Sequence, residues 1–178
     1  MIPFPNKKYQ IIYADPPWRY NFPNNKYYKV ENHYPSMSIN EICSLKIPSD
    51  NNCVTFLWAT APKLLEALKV MKAWGFNYKT QAVWDKVNEG LGYWFRGQHE
   101  ILLVGTKGKF SPPKVSDRKS SIFVEKKHGH SIKPYCVRNW INKAFPDLSK
   151  IELFARPPKD RLFEDESYKG WDLWGNEV

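Results

Sequence analysis

A short apolar run that ends on an acid and two prolines constrains this chain more than any other stretch. Tyr9 to Ala14 (Tyr-Gln-Ile-Ile-Tyr-Ala) reads as a buried strand. Asp15-Pro16-Pro17-Trp18 follows at once, and neither proline can donate to a ladder. The strand therefore stops at Asp15 and delivers a carboxylate on a stiff backbone. Proline makes up only about 5% of average chains and tryptophan is rarer, so these four residues in order are a specific signal. The plain structural alternative is a stiff turn with a packed tryptophan.

The rest of the chain supplies partners for that strand. Ser38 with Glu41 three positions on predicts a capping box and a short helix. Cys53 to Trp58 predicts a second strand. Thr60 to Trp74 predicts a helix, with Thr60 as cap, Pro62 in its first turn and Gly75 past its end. Its apolar face is read as Leu64, Leu65, Leu68, Met71 and Trp74. Thr80–Trp84 and Ile101–Thr106 read as strands. The stretch 107–133 shows no periodicity. Pro134 to Phe145 reads as a helix with Val137, Trp140, Ile141 and Phe145 on one side, and Ile151 to Ala155 as a last strand. Strands alternating with helices predict an α/β fold, a mostly parallel open sheet with helices on both faces, in one domain over residues 1–178. Ligands of such sheets bind outside the carboxyl ends of the strands, which places Asp15 and Arg156 at the site.

Composition narrows the class. The 178 residues carry a net charge of +9, with eight tryptophans and ten tyrosines. A basic balance points to a polyanionic partner, and flat rings serve as platforms for bases. Cys43, Cys53 and Cys136 stand far apart, which argues against zinc and disulfide frameworks. His33, His99, His128 and His130 fit no metal spacing and read as loop or substrate-contact residues, so no metal is expected. No secretory pattern opens the chain and no apolar run is long enough for a membrane, so a cytoplasmic protein is expected.

The motif itself suggests a chemistry. Adenine's exocyclic amine is a poor nucleophile because its lone pair is delocalised into the ring. Two acceptors against its two N–H bonds would orient it and restore that lone pair. The Asp15 carboxylate and the Pro16 carbonyl are the candidates. A carboxylate also stabilises the nitrogen as it becomes positive, and Trp18 is expected to offer a ring face to the base.

Here the sequence resembles a known family. Asp15-Pro16-Pro17-Trp18, Tyr34-Pro35-Ser36-Met37-Ser38, Phe56-Leu57-Trp58, Val83-Trp84-Asp85-Lys86, Leu103-Val104-Gly105-Thr106-Lys107-Gly108 and Ile151-Glu152-Leu153-Phe154-Ala155-Arg156-Pro157 occur in family order. The family is the adenine-N6 methyltransferases typified by the catalytic subunit of the messenger-RNA adenine methyltransferase, which has short microbial and phage members. The resemblance implies a Rossmann-like methyltransferase sheet with a permuted motif order, and S-adenosyl-L-methionine as cofactor. It implies Asp15, Pro16, Pro17 and Trp18 as catalytic. It implies Asp15, Lys133, Phe154, Arg156, Asn176 and Glu177 as cofactor-binding, with Glu177 in place of the messenger-RNA enzyme's glutamine. Pro158 and Lys159 replace a His-Asn pair that contacts cofactor in that enzyme. Glu100 matches a glutamate near the substrate adenine.

The basic excess is local. Residues 107–133 hold a net charge of +6. Lys114, Arg118, Lys119, Lys126 and Lys127, with Phe110 and Phe123 among them, read either as a solvated loop or as a mobile arm on the phosphate backbone. The aromatic stretch 19–35, with Tyr20, Phe22, Tyr27, Tyr28 and Tyr34, is expected to close over a flipped base. Both are expected to order with substrate. DNA is the expected polymer and RNA the alternative, with a homodimer or a paralogous subunit as partner. A non-catalytic nucleic-acid-binding subunit is the competing reading. The presence of Asp15, Trp18, Lys133 and Asn176 argues against it.

Overall fold

The computed structural model describes residues 2–20, 35–92, 94–129, 132–156 and 166–176. In chain order the elements are β1 (Tyr9–Ala14), α1 (Ile39–Ser44), β2 (Ser49–Ala59), α2 (Leu64–Ala73), β3 (Asn77–Asp85), β4 (His99–Lys107), β5 (Ile122–Val124), α3 (Tyr135–Ala144), β6 (Lys150–Leu153) and β7 (Trp171–Trp174). The strands form one seven-stranded sheet in the order β5-β3-β4-β2-β1-β6-β7. Only β4 runs against its neighbours, and every other pairing is parallel. The fold is the expected mostly parallel α/β sheet.

The apolar run of β1 makes it a middle strand, because both of its faces are covered. Ile12 and Ala14 pack with Ile42 of α1 and with Ala67, Val70 and Met71 of α2. Ile11 and Tyr13 point the other way, toward Val137 and Ile141 of α3. Burying one such isoleucine contributes roughly 1.5–3 kcal/mol. Chain order then sets the site. From β1 the chain crosses to β2 on one side, and it returns as β6 on the other. The sequence therefore diverges at the carboxyl end of β1, where α/β sheets hold their ligands.

Several local expectations shift. The capping box at Ser38 and Glu41 is formed. Thr60 makes no side-chain cap. Its hydroxyl shares a 2.6 Å hydrogen bond with that of Tyr20, and a 3-10 turn, Ala61–Lys63, precedes α2. Leu65 is exposed, because it lies about 200° around the helix from Ala67, at about 100° per residue. The buried row is Ala67, Val70, Met71 and Trp74. The strand expected over 151–155 ends at Leu153, because Phe154 takes a φ of 60°.

The basic stretch is not a free arm as far as Gly129. It contributes β5, buries Phe123 and packs Phe110 on Phe145 at 5.6 Å between ring centres. The Trp140 indole N–H fastens it by donating to the Asp117 carbonyl at 2.8 Å. Among the described residues no helix is long and apolar enough to cross a membrane.

Candidate active site

Five ionisable side chains from distant parts of the sequence meet at the carboxyl end of β1. Asp15 leaves β1 itself. Arg156 comes from the turn after β6, and Lys86 follows β3. Glu100 lies at the start of antiparallel β4, so it enters at the same edge. Lys133 stands just before α3. The Lys133 Nζ lies 2.8 Å from Asp15 Oδ2 and 3.2 Å from Glu100 Oε2. Lys86 Nζ is 3.3 Å from Glu100 Oε1, and an Arg156 guanidinium nitrogen is 3.5 Å from Asp15 Oδ2. Among the described residues, cation and anion alternate along the row.

Burial alone would weaken the Lys133 ammonium, but Asp15 and Glu100 outweigh it and hold the group above the ordinary lysine range. Burial works against the Glu100 carboxylate as well, and Lys133 and Lys86 overcome it and hold the acid below its ordinary 4.5. Lys133 and Glu100 are therefore both charged across the neutral range. Lys133 also lies 5.9 Å from the ring centre of Trp58, which lines the row from β2.

The proline turn is locked from both sides. Pro16 accepts the Trp18 backbone N–H at 2.8 Å, and Pro17 accepts that of Met37 at 2.8 Å. Met37 thereby forms a bridge with Trp18, immediately before the capped start of α1. One feature differs from expectation. Trp18 is 4% exposed, and its indole N–H donates to the Trp58 carbonyl at 3.2 Å. The ring is part of the core that holds the turn, because a buried indole must find both apolar contact and an acceptor. It is not an open platform for a base.

The far wall comes from the end of the chain. Phe154 sits in the left-handed region at a φ of 60°, a backbone state that costs on the order of 1–2 kcal/mol in an L residue. Ala155 donates its N–H to Trp174 at 3.0 Å. A Cβ on Gly175 would lie 2.9 Å from both the N and O of Ala155, so only glycine lets the two segments touch. Parallel pairing sets Leu153 opposite Trp174, so Asn176 follows at the edge that carries Asp15. Glu177, Tyr34, Pro158 and Lys159 lie outside the described residues, as do His33, His130 and most of the stretch 19–35. Arg19 and Tyr20 are described. Arg19 Nε donates to the Ser36 hydroxyl at 3.3 Å.

The topology divides the basic residues. Lys126 and Lys127 follow β5 and are exposed toward the site edge. Lys114, Arg118 and Lys119 precede β5, so they lie toward the opposite end of the sheet. The latter two help rim a cavity of about 550 Å³ floored by Phe56, Leu102 and Val104. Between the two groups, Glu125 accepts the backbone N–H groups of Tyr135 and Cys136 at 2.8 and 2.9 Å and contacts His128. It caps α3 in place of a local residue, since Pro134 has no capping side chain. Among the described residues no group of His, Cys, Asp and Glu is placed to hold a metal.

Sequence reasoning missed Lys86 and Trp58 as members of the site, although both stood inside stretches singled out for other reasons. It also missed a pair beneath the site, Arg138 and Glu152, because α3 and β6 had to be docked before the two could meet.

Known proteins resemble the chain along most of its length. The MT-A70 family model matches residues 9–177. The chain is 37% identical to the type II methyltransferase M.MunI of Mycoplasma sp, over 98% of this chain and 79% of that protein. It is 27% identical to the human N(6)-adenosine-methyltransferase catalytic subunit METTL3, over 84% of this chain and 26% of that protein. It is 25% identical to human N(6)-adenine-specific methyltransferase METTL4, over 97% of this chain and 38% of that one. A match that runs from β1 past β7 takes in both walls of the site, and the chain belongs to the MT-A70 family.

Proposed function

We propose that this chain transfers a methyl group from S-adenosyl-L-methionine to N6 of adenine in DNA. The observation that carries the proposal is the Asp15 carboxylate, fixed between Lys133 and Arg156 beside two proline carbonyls. Both cations hold Oδ2, so Oδ1 is the oxygen left to accept one amine N–H. Pro16 already accepts one hydrogen bond, and its second lone pair accepts the other. Orientation alone is a large part of the gain when two reactants must meet in line. As the amine becomes cationic, the Asp15 carboxylate stabilises it.

The residues present suit the cofactor. Lys133 and Arg156, beside Asp15, are the groups to hold its carboxylate. Phe154, Asn176 and Glu177 would hold its sugar end. When bound, the cofactor supplies an electrophilic methyl group on a sulfonium. Lys126 and Lys127 stand where phosphates of a bound strand would pass.

DNA is favoured by the likeness to a type II methyltransferase over nearly the whole chain. RNA is the second reading, favoured by the likeness to METTL3. Labelled methyl transfer to duplex DNA, single-stranded DNA and RNA decides between them. The expected result is label on N6 of adenine in DNA. Equal labelling by wild type and Asp15→Ala would sink the mechanism.

A further inference from the structure

We propose that the hairpin joining β3 to β4 is a base-stack wedge, with Trp94 and Phe95 entering the duplex where the target adenine leaves it. The inference rests on the DNA reading above. Trp94 is 93% exposed and Phe95 86%, with Leu91 beside them at 74%. The other seven tryptophans are buried or half-buried. Two large rings held in water at one tip are unusual where no partner covers them.

The tip is a built turn. Lys86 donates its N–H to Gln98 at 2.8 Å, and Gly90 donates to Gly97 at 3.0 Å. Asp85 Oδ1 accepts from the Val87 N–H and from the Gln98 amide, each at 2.8 Å. These bonds hold Val87 at a φ of 67°, a costly state for a branched residue. A Cβ on Gly92 would collide with the Phe95 carbonyl oxygen, so the tip can close this tightly only around glycine. A closed turn presents its rings with little ordering left to do on binding.

Its location fits the task. Lys86, at the root, is ion-paired to Glu100, which shares Lys133 with Asp15. Trp94 stands six positions before Glu100, so their Cα atoms lie within roughly 20 Å of each other. Adenine N6 is engaged in pairing inside a duplex. A site at the bottom of a sheet edge can reach it only after the base turns out, at a cost of a few kcal/mol. An inserted ring offsets part of that cost by stacking on the bases left behind. Arg96 at the tip, exposed beside Glu89 at 3.5 Å, is the cation nearest the rings for a flanking phosphate.

The test is a Trp94→Ala/Phe95→Ala double variant of the full chain, assayed with labelled cofactor. One substrate is a duplex with the target adenine paired, and the other is the same duplex with an abasic position opposite it. The wedge predicts at least a tenfold loss on the paired substrate and less than twofold on the unpaired one. Gly92→Ala, which opens the tip without removing a ring, should show the same selectivity. Fluorescence of 2-aminopurine in duplexes of mixed sequence should rise with wild type and stay low with the double variant. Equal losses on both substrates, or none, would overturn the wedge. So would a wild-type dimer in sedimentation that the double variant converts to monomer, since the rings would then cover a second copy. Absence of methyl transfer by wild type to either substrate would sink the functional reading instead. The 2-aminopurine signal needs no transfer and judges the wedge separately.

Discussion

Two charged clusters flank α3, and they use the same chemistry to different ends. Beneath the sheet edge, the Arg138 Nε and NH2 both bond Glu152 Oε2, at 3.0 and 2.9 Å. A third guanidinium nitrogen donates to Ser167 at 2.9 Å, and the group stacks 3.9 Å from the Tyr168 ring centre. This cluster is buried and fastens helix, strand and the 166–168 turn together. At the edge, Lys133, Asp15 and Glu100 share bonds of similar length but remain partly open to solvent. A buried pair completed by protein is a structural joint. A row left partly open to solvent at a sheet edge is a site. The difference is exposure, not residue type.

The sharpest way to break this comparison is to remove one member from each cluster. Asp15→Ala should lower methyl transfer by at least about a thousandfold, near 4 kcal/mol in the barrier. Its melting temperature should stay within a few degrees of wild type. A loss of fold with Asp15→Ala would mean the edge row is also a joint. Arg138→Met should do the reverse, with a loss of about 3–5 kcal/mol of stability. Burial already pushes the Glu152 carboxyl above its ordinary range against the pull of Arg138. Once orphaned, Glu152 can escape its penalty only by taking up a proton. The cost of Arg138→Met should therefore shrink in denaturant melts as pH falls from 7 toward 5.

A smaller effect is expected from Lys133→Met. Losing one charged hydrogen bond to the cofactor, about 1.5–3 kcal/mol, should weaken S-adenosyl-L-methionine binding roughly tenfold to a hundredfold in calorimetry. Unchanged binding would move the carboxylate contact to Arg156 alone.

Much of this was legible in the sequence, for reasons that are local. A buried middle strand cut off by prolines can be read from β1 and the four residues after it, because both signals lie within ten positions. The capping box of α1 is equally local. What stayed hidden depends on pairing between distant segments. β5 is three residues long and is a strand only because β3 lies beside it. β7, Trp-Asp-Leu-Trp, is held by β6 in the same way. Strand propensity reports fit to a neighbour more than an intrinsic preference, so short edge strands leave little trace. The burial of Trp18 was hidden for a related reason. A tryptophan after two prolines reads as a platform for a base until Met37 and Trp58 are seen to close around it. In the site, Asp15, Lys133 and Arg156 could be named but not joined. The Glu100–Lys86 half of the row needed the antiparallel turn of β4 to bring it round.

The smallest expected effect discriminates most finely between the clusters, because their carboxylates shift in opposite directions. Glu100 is held below 4.5 by Lys133 and Lys86 despite its burial, whereas burial pushes Glu152 above it. A lowered acid contributes stability that is fully present above 4.5 and is lost as pH falls through its folded value. A raised acid has the opposite sign. Its ionisation costs stability above 4.5, and the cost is relieved as pH falls through the raised value. At pH 7, Glu100→Gln should therefore be less stable than wild type by about 1 kcal/mol, and the gap should close below 4.5. The stability of wild type relative to Glu152→Gln should instead improve as pH falls from 7 toward 5. Parallel urea melts of the three proteins measure both slopes. If the two variants drift from wild type in the same direction, the clusters share one environment, and the division between joint and site fails at the level of its electrostatics.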